Sequence, residues 1–117
     1  MTFAAAFHTS CTEIASADWE RCLPGQAEGW HYYRACESCL PDRAHPVAIS
    51  ISRGDEVVAV APLFHLEYRL DSALNGRARR VTDALNRVFR GLLAVQVIGL
   101  GSPYAERCHL GYSPALS

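Results

Sequence analysis

The chain contains no lysine; all eleven of its basic side chains are arginine. A P-loop is thereby excluded, because its lysine is what reaches the phosphates of a bound nucleotide. Long hydrophobic runs are absent as well. The apolar stretch Met1–Phe7 has no basic residues ahead of it and is too short for a signal-peptide core or a membrane span. There is no G-x-S-x-G and no H-E-x-x-H, so neither a nucleophile elbow nor a zinc-protease helix is encoded. No nucleophile arrangement emerges, and every Ser, Cys and His can be given a structural role. Excess charge is missing too: a net charge of -1 gives no general electrostatic case for nucleic acid or an anionic membrane. With no export signal, the expected compartment is the cytoplasm. Five cysteines, an odd number, are then expected as free thiols or ligands rather than disulfides.

What is present describes a folded domain. Half of the 117 residues are apolar or aromatic and 20% are charged, a globular balance in a length suited to a single domain over 1–117. Phe7–Ile14 reads as a first strand. Ser16 can cap a short helix through Trp19 and Leu23, which Pro24-Gly25 stops. A second helix is predicted from Gly29 to Leu40, with Trp30, Tyr33, Glu37 and Leu40 on one face and Pro41 at its end. Val47, Ile49 and Ile51 alternate with Ala48, Ser50 and Ser52 as in a half-buried strand. Arg53-Gly54-Asp55-Glu56 is the turn, and a long return strand runs from Val57 to about Leu70. Pro62 interrupts it and predicts an edge, a bulge or a bend. Asp71 or Ser72 caps a third helix with a core-facing stripe of Val81, Leu85, Val88 and Leu92. Leu93–Ile98 is a last apolar strand, broken by Gly99-Leu100-Gly101-Ser102-Pro103. The class is α+β, a mainly antiparallel sheet with a long central hairpin and about three helices packed on it.

Several groups carry chemistry and each also has a structural reading. Cys36 and Cys39 form a C-x-x-C, which suits a zinc knuckle, a redox pair or two ordinary thiols on a helix. Cys108-His109 is a poor second pair for zinc because adjacent residues point apart, and no metal is expected. Glu37, set by the helical count among Trp30, Tyr33 and Leu40, is the candidate general base; alternatively it reaches a backbone amide, an arginine or solvent. His65, Glu67 and Arg69 make a polar stripe, either a cleft lining or the wet face of the sheet. Arg77, Arg79, Arg80, Arg87 and Arg90 fall in one segment, which fits a solvated helix face as well as a phosphate site.

The order of elements, Trp19, Tyr32-Tyr33-Arg34-Ala35-Cys36-Glu37 and the hairpin's Ala61-Pro62-Leu63-Phe64 resemble the start of GNAT-superfamily N-acyltransferases, nearest to the FemAB-like, peptidoglycan-associated branch. The resemblance covers residues 7–70. It implies acyl transfer from acetyl-CoA or another acyl-CoA, as co-substrate, to a small-molecule or peptide amine. It also implies a Gln/Arg-x-x-Gly-x-Gly/Ala loop whose amides hold the CoA pyrophosphate at a helix start. Gln96-Val97-Ile98-Gly99-Leu100-Gly101 matches that loop, giving Gln96, Gly99 and Gly101 as cofactor-binding candidates. Only Tyr104–Cys108 remain for the helix that follows, however. The expectation is therefore an incomplete, N-terminal GNAT-like domain that is inactive alone, with a homodimer through an exposed sheet edge as a further possibility. Two other readings stay open: a non-catalytic α+β module that binds a partner, and a small Cys-based metal or redox domain.

Overall fold

The computed structural model describes residues 2–39, 47–102 and 107–116. In chain order the elements are β1 (Phe3–His8), a 3-10 turn (Cys11–Glu13), α1 (Ser16–Cys22), α2 (Trp30–Ser38), β2 (Ala48–Arg53) and β3 (Glu56–Arg69). There follow α3 (Gly76–Val88), β4 (Ala94–Leu100), β5 (Gly111–Tyr112) and a closing 3-10 turn, Pro114–Leu116. The class is α+β, with five antiparallel strands in the order β1-β2-β3-β4 and β5 paired to β3. The chain forms two compact units, one from residues up to His65 together with those from Gly99 onward, the other Leu66–Ile98.

In the first unit β1 ends earlier than the apolar pattern suggests. Ser10 caps the turn Cys11–Glu13 by accepting from the Thr12 amide, while the Glu13 carboxylate takes the Thr9 and Ser10 amides, each at 3.1 Å. This capping box turns the chain out of the sheet at His8, so the strand is Phe3–His8 and not Phe7–Ile14. Ala15, not Ser16, stands at the cap of α1, without a side-chain bond, and Gly25 follows the helix with φ +68°. The predicted end of α2 at Leu40 and Pro41 lies outside the described residues. The hairpin turns at Gly54 (φ +62°), pairing Arg53 with Glu56, and a bulge falls between Ile51 and Ser52.

The alternation in β2 runs opposite to the usual pattern. Ala48 and Ser50 are buried, at 0% and 3% exposure, whereas Ile51 is 37% exposed. Register explains it. Ala48 and Ser50 pair with Pro62 and Val60 of β3, on the side where Trp19, Cys22, Leu23, Tyr33 and Cys11 close the core. Small side chains on that face let the helices sit close to the sheet. Gly111 of β5 continues the theme: a Cβ there would stand 2.7 Å from the Cys22 carbonyl and against the Leu23 side chain. β3 runs through Pro62 without the expected interruption: Pro62 is buried and paired with Ala48, its carbonyl accepts from the Gly101 amide at 2.7 Å, and it has no N–H to return.

In the second unit α3 is capped by Asn75, without a side-chain bond, rather than by Asp71 or Ser72. Its apolar stripe does not face a core. Val81, Leu85 and Val88, like Leu92 beyond the helix, are exposed, and no residue of α3 is buried. The unit is tied by charge instead. Arg69 donates to both carboxylate oxygens of Asp71, at 3.0 and 2.6 Å, and to Asp83 at 2.9 Å.

Candidate functional site

Glu37 sits in the last turn of α2, where one carboxylate oxygen accepts the backbone amide of Cys11 at 2.9 Å. Trp30, two turns earlier, donates its indole N–H to the carbonyls of Cys11 and Ile14, each at 3.0 Å. Between them these side chains clamp the 3-10 turn onto α2: Glu37 takes the Cys11 amide, and Trp30 adds a second donor to the Cys11 carbonyl, which also accepts the Ile14 amide at 3.1 Å. Glu37 is thus engaged structurally, which was the alternative to its role as a base. The loop candidates fall in or just after a strand. Gln96 and Gly99 lie in β4, and Gln96 donates to Glu67 at 2.8 Å. Gly99 lies beneath the Phe64 ring, and an added Cβ would come within 2.5 Å of it. Gly101 follows the strand at φ +93°, a backbone suited to glycine, and its amide is the one donated to Pro62. Among the described residues Glu37 shares no hydrogen bond with Gly99 or Gly101. The helix start expected at Ser102-Pro103 and Tyr104 falls largely on residues 103–106, outside the described residues.

Sequence reasoning missed one constellation. Ser50 Oγ and His8 Nε2 are 2.7 Å apart, and His8 Nδ1 stands 3.2 Å from Glu13 Oε2. Hydroxyl, imidazole and carboxylate thus occur in the order of a nucleophile, a base and an orienting group. Glu13 is fixed further by the Thr9 hydroxyl at 2.9 Å, whose hydrogen bond leads the effects holding its carboxyl below the usual carboxylate range. Ser50, however, is 3% exposed and lies on the core face of the sheet, so the arrangement fastens β1, the turn and β2 together. The 42-residue separation of Ser50 from His8 hid it; a diagonal cross-strand register is invisible until the pairing is known.

Burial also governs the thiols. Desolvation, then the Glu37 carboxylate, push the Cys11 thiol from its ordinary 9.0 up to about 12. Desolvation likewise raises the Tyr33 phenol from 10.0 to about 12. Both groups stay neutral, the opposite of an activated nucleophile. All five cysteines are free; Cys36 is half-buried, while Cys39 and Cys108 are exposed. Among the described residues no group of three or more His, Cys, Asp or Glu side chains could hold a metal ion. No described helix is long and apolar enough to cross a membrane.

The surface that stands out is the sheet face opposite the core. Ile49 and Ile51 of β2, Ala59 and Ala61 of β3, Leu100 of β4, Leu110 and Tyr112 line an open groove of about 310 Å³ with almost no polar lining. Phe3 and Phe7 on β1 project from the same face, because Phe7 pairs with Ile49 and Ala5 with Ile51. Phe7, Leu110 and Tyr112 are each more than 60% exposed. One face of an antiparallel sheet commonly meets water, but that face is ordinarily polar. Compared with family models, curated proteins and solved structures, the chain matches none.

Proposed function

We propose that this chain is the front part of a GNAT-like N-acyltransferase fold and that it does not transfer an acyl group by itself. The reading is carried by one observation: strand, two helices and hairpin occur in the resembling order, with the core on one sheet face and an exposed apolar groove on the other. In a complete fold the chain would form part of the acceptor-side wall, where an amine attacks the acyl-CoA thioester. Its own candidate groups are otherwise engaged: Glu37 holds the Cys11 amide, and the Gly101 amide is given to Pro62. The exposed groove also favours the second reading, a non-catalytic module that binds a partner.

Acetyl-CoA calorimetry on the 117-residue chain, with a thermal melt alongside, tests the proposal. We expect no saturable heat and an unchanged melting temperature from a folded protein. Micromolar binding with a raised melting temperature would overturn it, making Gln96–Gly101 a working pyrophosphate loop and the chain an acyl-CoA enzyme in its own right.

A further inference from the structure

We propose that β1 is a self-recognition edge, pairing antiparallel with β1 of a second copy in a register centred on Ala5. The inference names the partner for the binding-module reading and rests on it; acetyl-CoA calorimetry tests the acyltransferase side separately.

Three features point to this edge. β1 is the terminal strand of the sheet path, and among the described residues no strand pairs with its outer edge. Such edges are normally blunted by charge, proline or a bulge. Phe3–Phe7 contains neither a charge nor a proline, and its register with β2 runs without a shift. The second feature is symmetry. Phe3-Ala4-Ala5-Ala6-Phe7 reads identically in both directions, so a two-fold axis at Ala5 sets Phe3 opposite Phe7 of the second copy, and the reverse. A closed two-fold contact requires this kind of self-complementary surface, and aromatic cross-strand pairs stabilise it.

The third feature is exposure. Phe3 and Phe7 are 52% and 68% exposed, on the face that carries Ile51 and Tyr112. Pairing at β1 would therefore join the two apolar faces into one. With an aromatic side chain offering about 200 Å², the two rings present roughly 240 Å² per copy. Even with strand pairing added, that falls below the ~800 Å² per partner of a standard interface. The dimer is accordingly weak and concentration-dependent.

Sedimentation velocity on the full chain is the test, over a range from about ten to several hundred micromolar. The expected result is a monomer passing to a dimer and no further. Ala5→Lys places two like charges across the axis; it should remain monomeric throughout, with an unchanged far-UV spectrum. A second pair of variants keeps the register testable should Ala5→Lys fail to fold. Ala5→Cys puts two thiols directly opposite one another, whereas Ala4→Cys leaves them diagonal, about 7–8 Å apart. With the exposed Cys39 and Cys108 replaced by serine, mild oxidation of Ala5→Cys should give a covalent dimer that Ala4→Cys and the serine-substituted parent do not. A monomer at every concentration, open-ended growth beyond the dimer, or equal cross-linking by both cysteine variants would overturn the proposal.

Discussion

At the scale of single residues, the most informative side chain is Glu37. The helical count placed it correctly on α2, and the alternative of a backbone-amide partner was already legible. Its actual partner, the Cys11 amide 26 positions away, depends on a turn whose location the apolar pattern obscured. Removing the carboxylate strands an N–H in a part-buried setting, which costs about 1–3 kcal/mol. We expect Glu37→Ala to lower the urea midpoint by that order and Glu37→Gln, which keeps an acceptor, by clearly less. If both variants unfold with the parent, the amide bond contributes nothing. The Ser50–His8–Glu13 chain makes a complementary point. Each residue type was visible in the sequence, yet the β1–β2 register brings hydroxyl and imidazole together and the capped turn adds the carboxylate.

Among the secondary-structure elements, the hairpin was readable because alternation and a turn glycine coincide, though the face it buries was not. Alternation fixes which residues share a side; it does not say which side the helices take. Here the small residues of β2 face inward, since α1 and α2 bring the bulk of Trp19 and Tyr33. The stripe on α3 failed for the opposite reason: helical periodicity was correct, but Val81, Leu85 and Val88 are exposed. Two glycines separate close packing from flexible contact. At Gly111 an added Cβ meets the Cys22 carbonyl, which belongs to helix backbone; at Gly99 it meets the Phe64 ring, which can rotate away. Thermal or urea melts should therefore show Gly111→Ala destabilised by about 1–3 kcal/mol, as for overpacking, and Gly99→Ala by less. The reverse order would mean that Phe64 is held rigidly.

For the whole molecule, the order of strands and helices made the α+β class legible but left the second unit and the exposed sheet face unannounced, because both are products of assembly. Stability should respond to pH at both ends. Asp71 is held below the usual carboxylate range, first by its hydrogen bond from Arg69. A depressed pKa adds stability that is present above the unfolded carboxylate value and is lost as pH falls through the folded one. Cys11 and Tyr33 have raised values, near 12. Their contribution is complete below the ordinary values of 9.0 and 10.0 and disappears as pH climbs toward 12. Chemical-denaturation midpoints across pH should form a plateau with losses at both acid and alkaline ends. An alkaline side as flat as the centre would refute the burial of these two groups.

The placement of the thiols has a practical consequence. Cys11 and Cys22 are buried in the core, Cys36 is half-covered, and Cys39 and Cys108 face solvent. The chain thus carries its own graded clock for local opening. Under native conditions Cys39 and Cys108 react directly, whereas each covered sulfhydryl is trapped by an alkylating reagent only as often as its surroundings part. The order in which five mass increments accumulate would read out, without any introduced label, which layer of the fold breathes first.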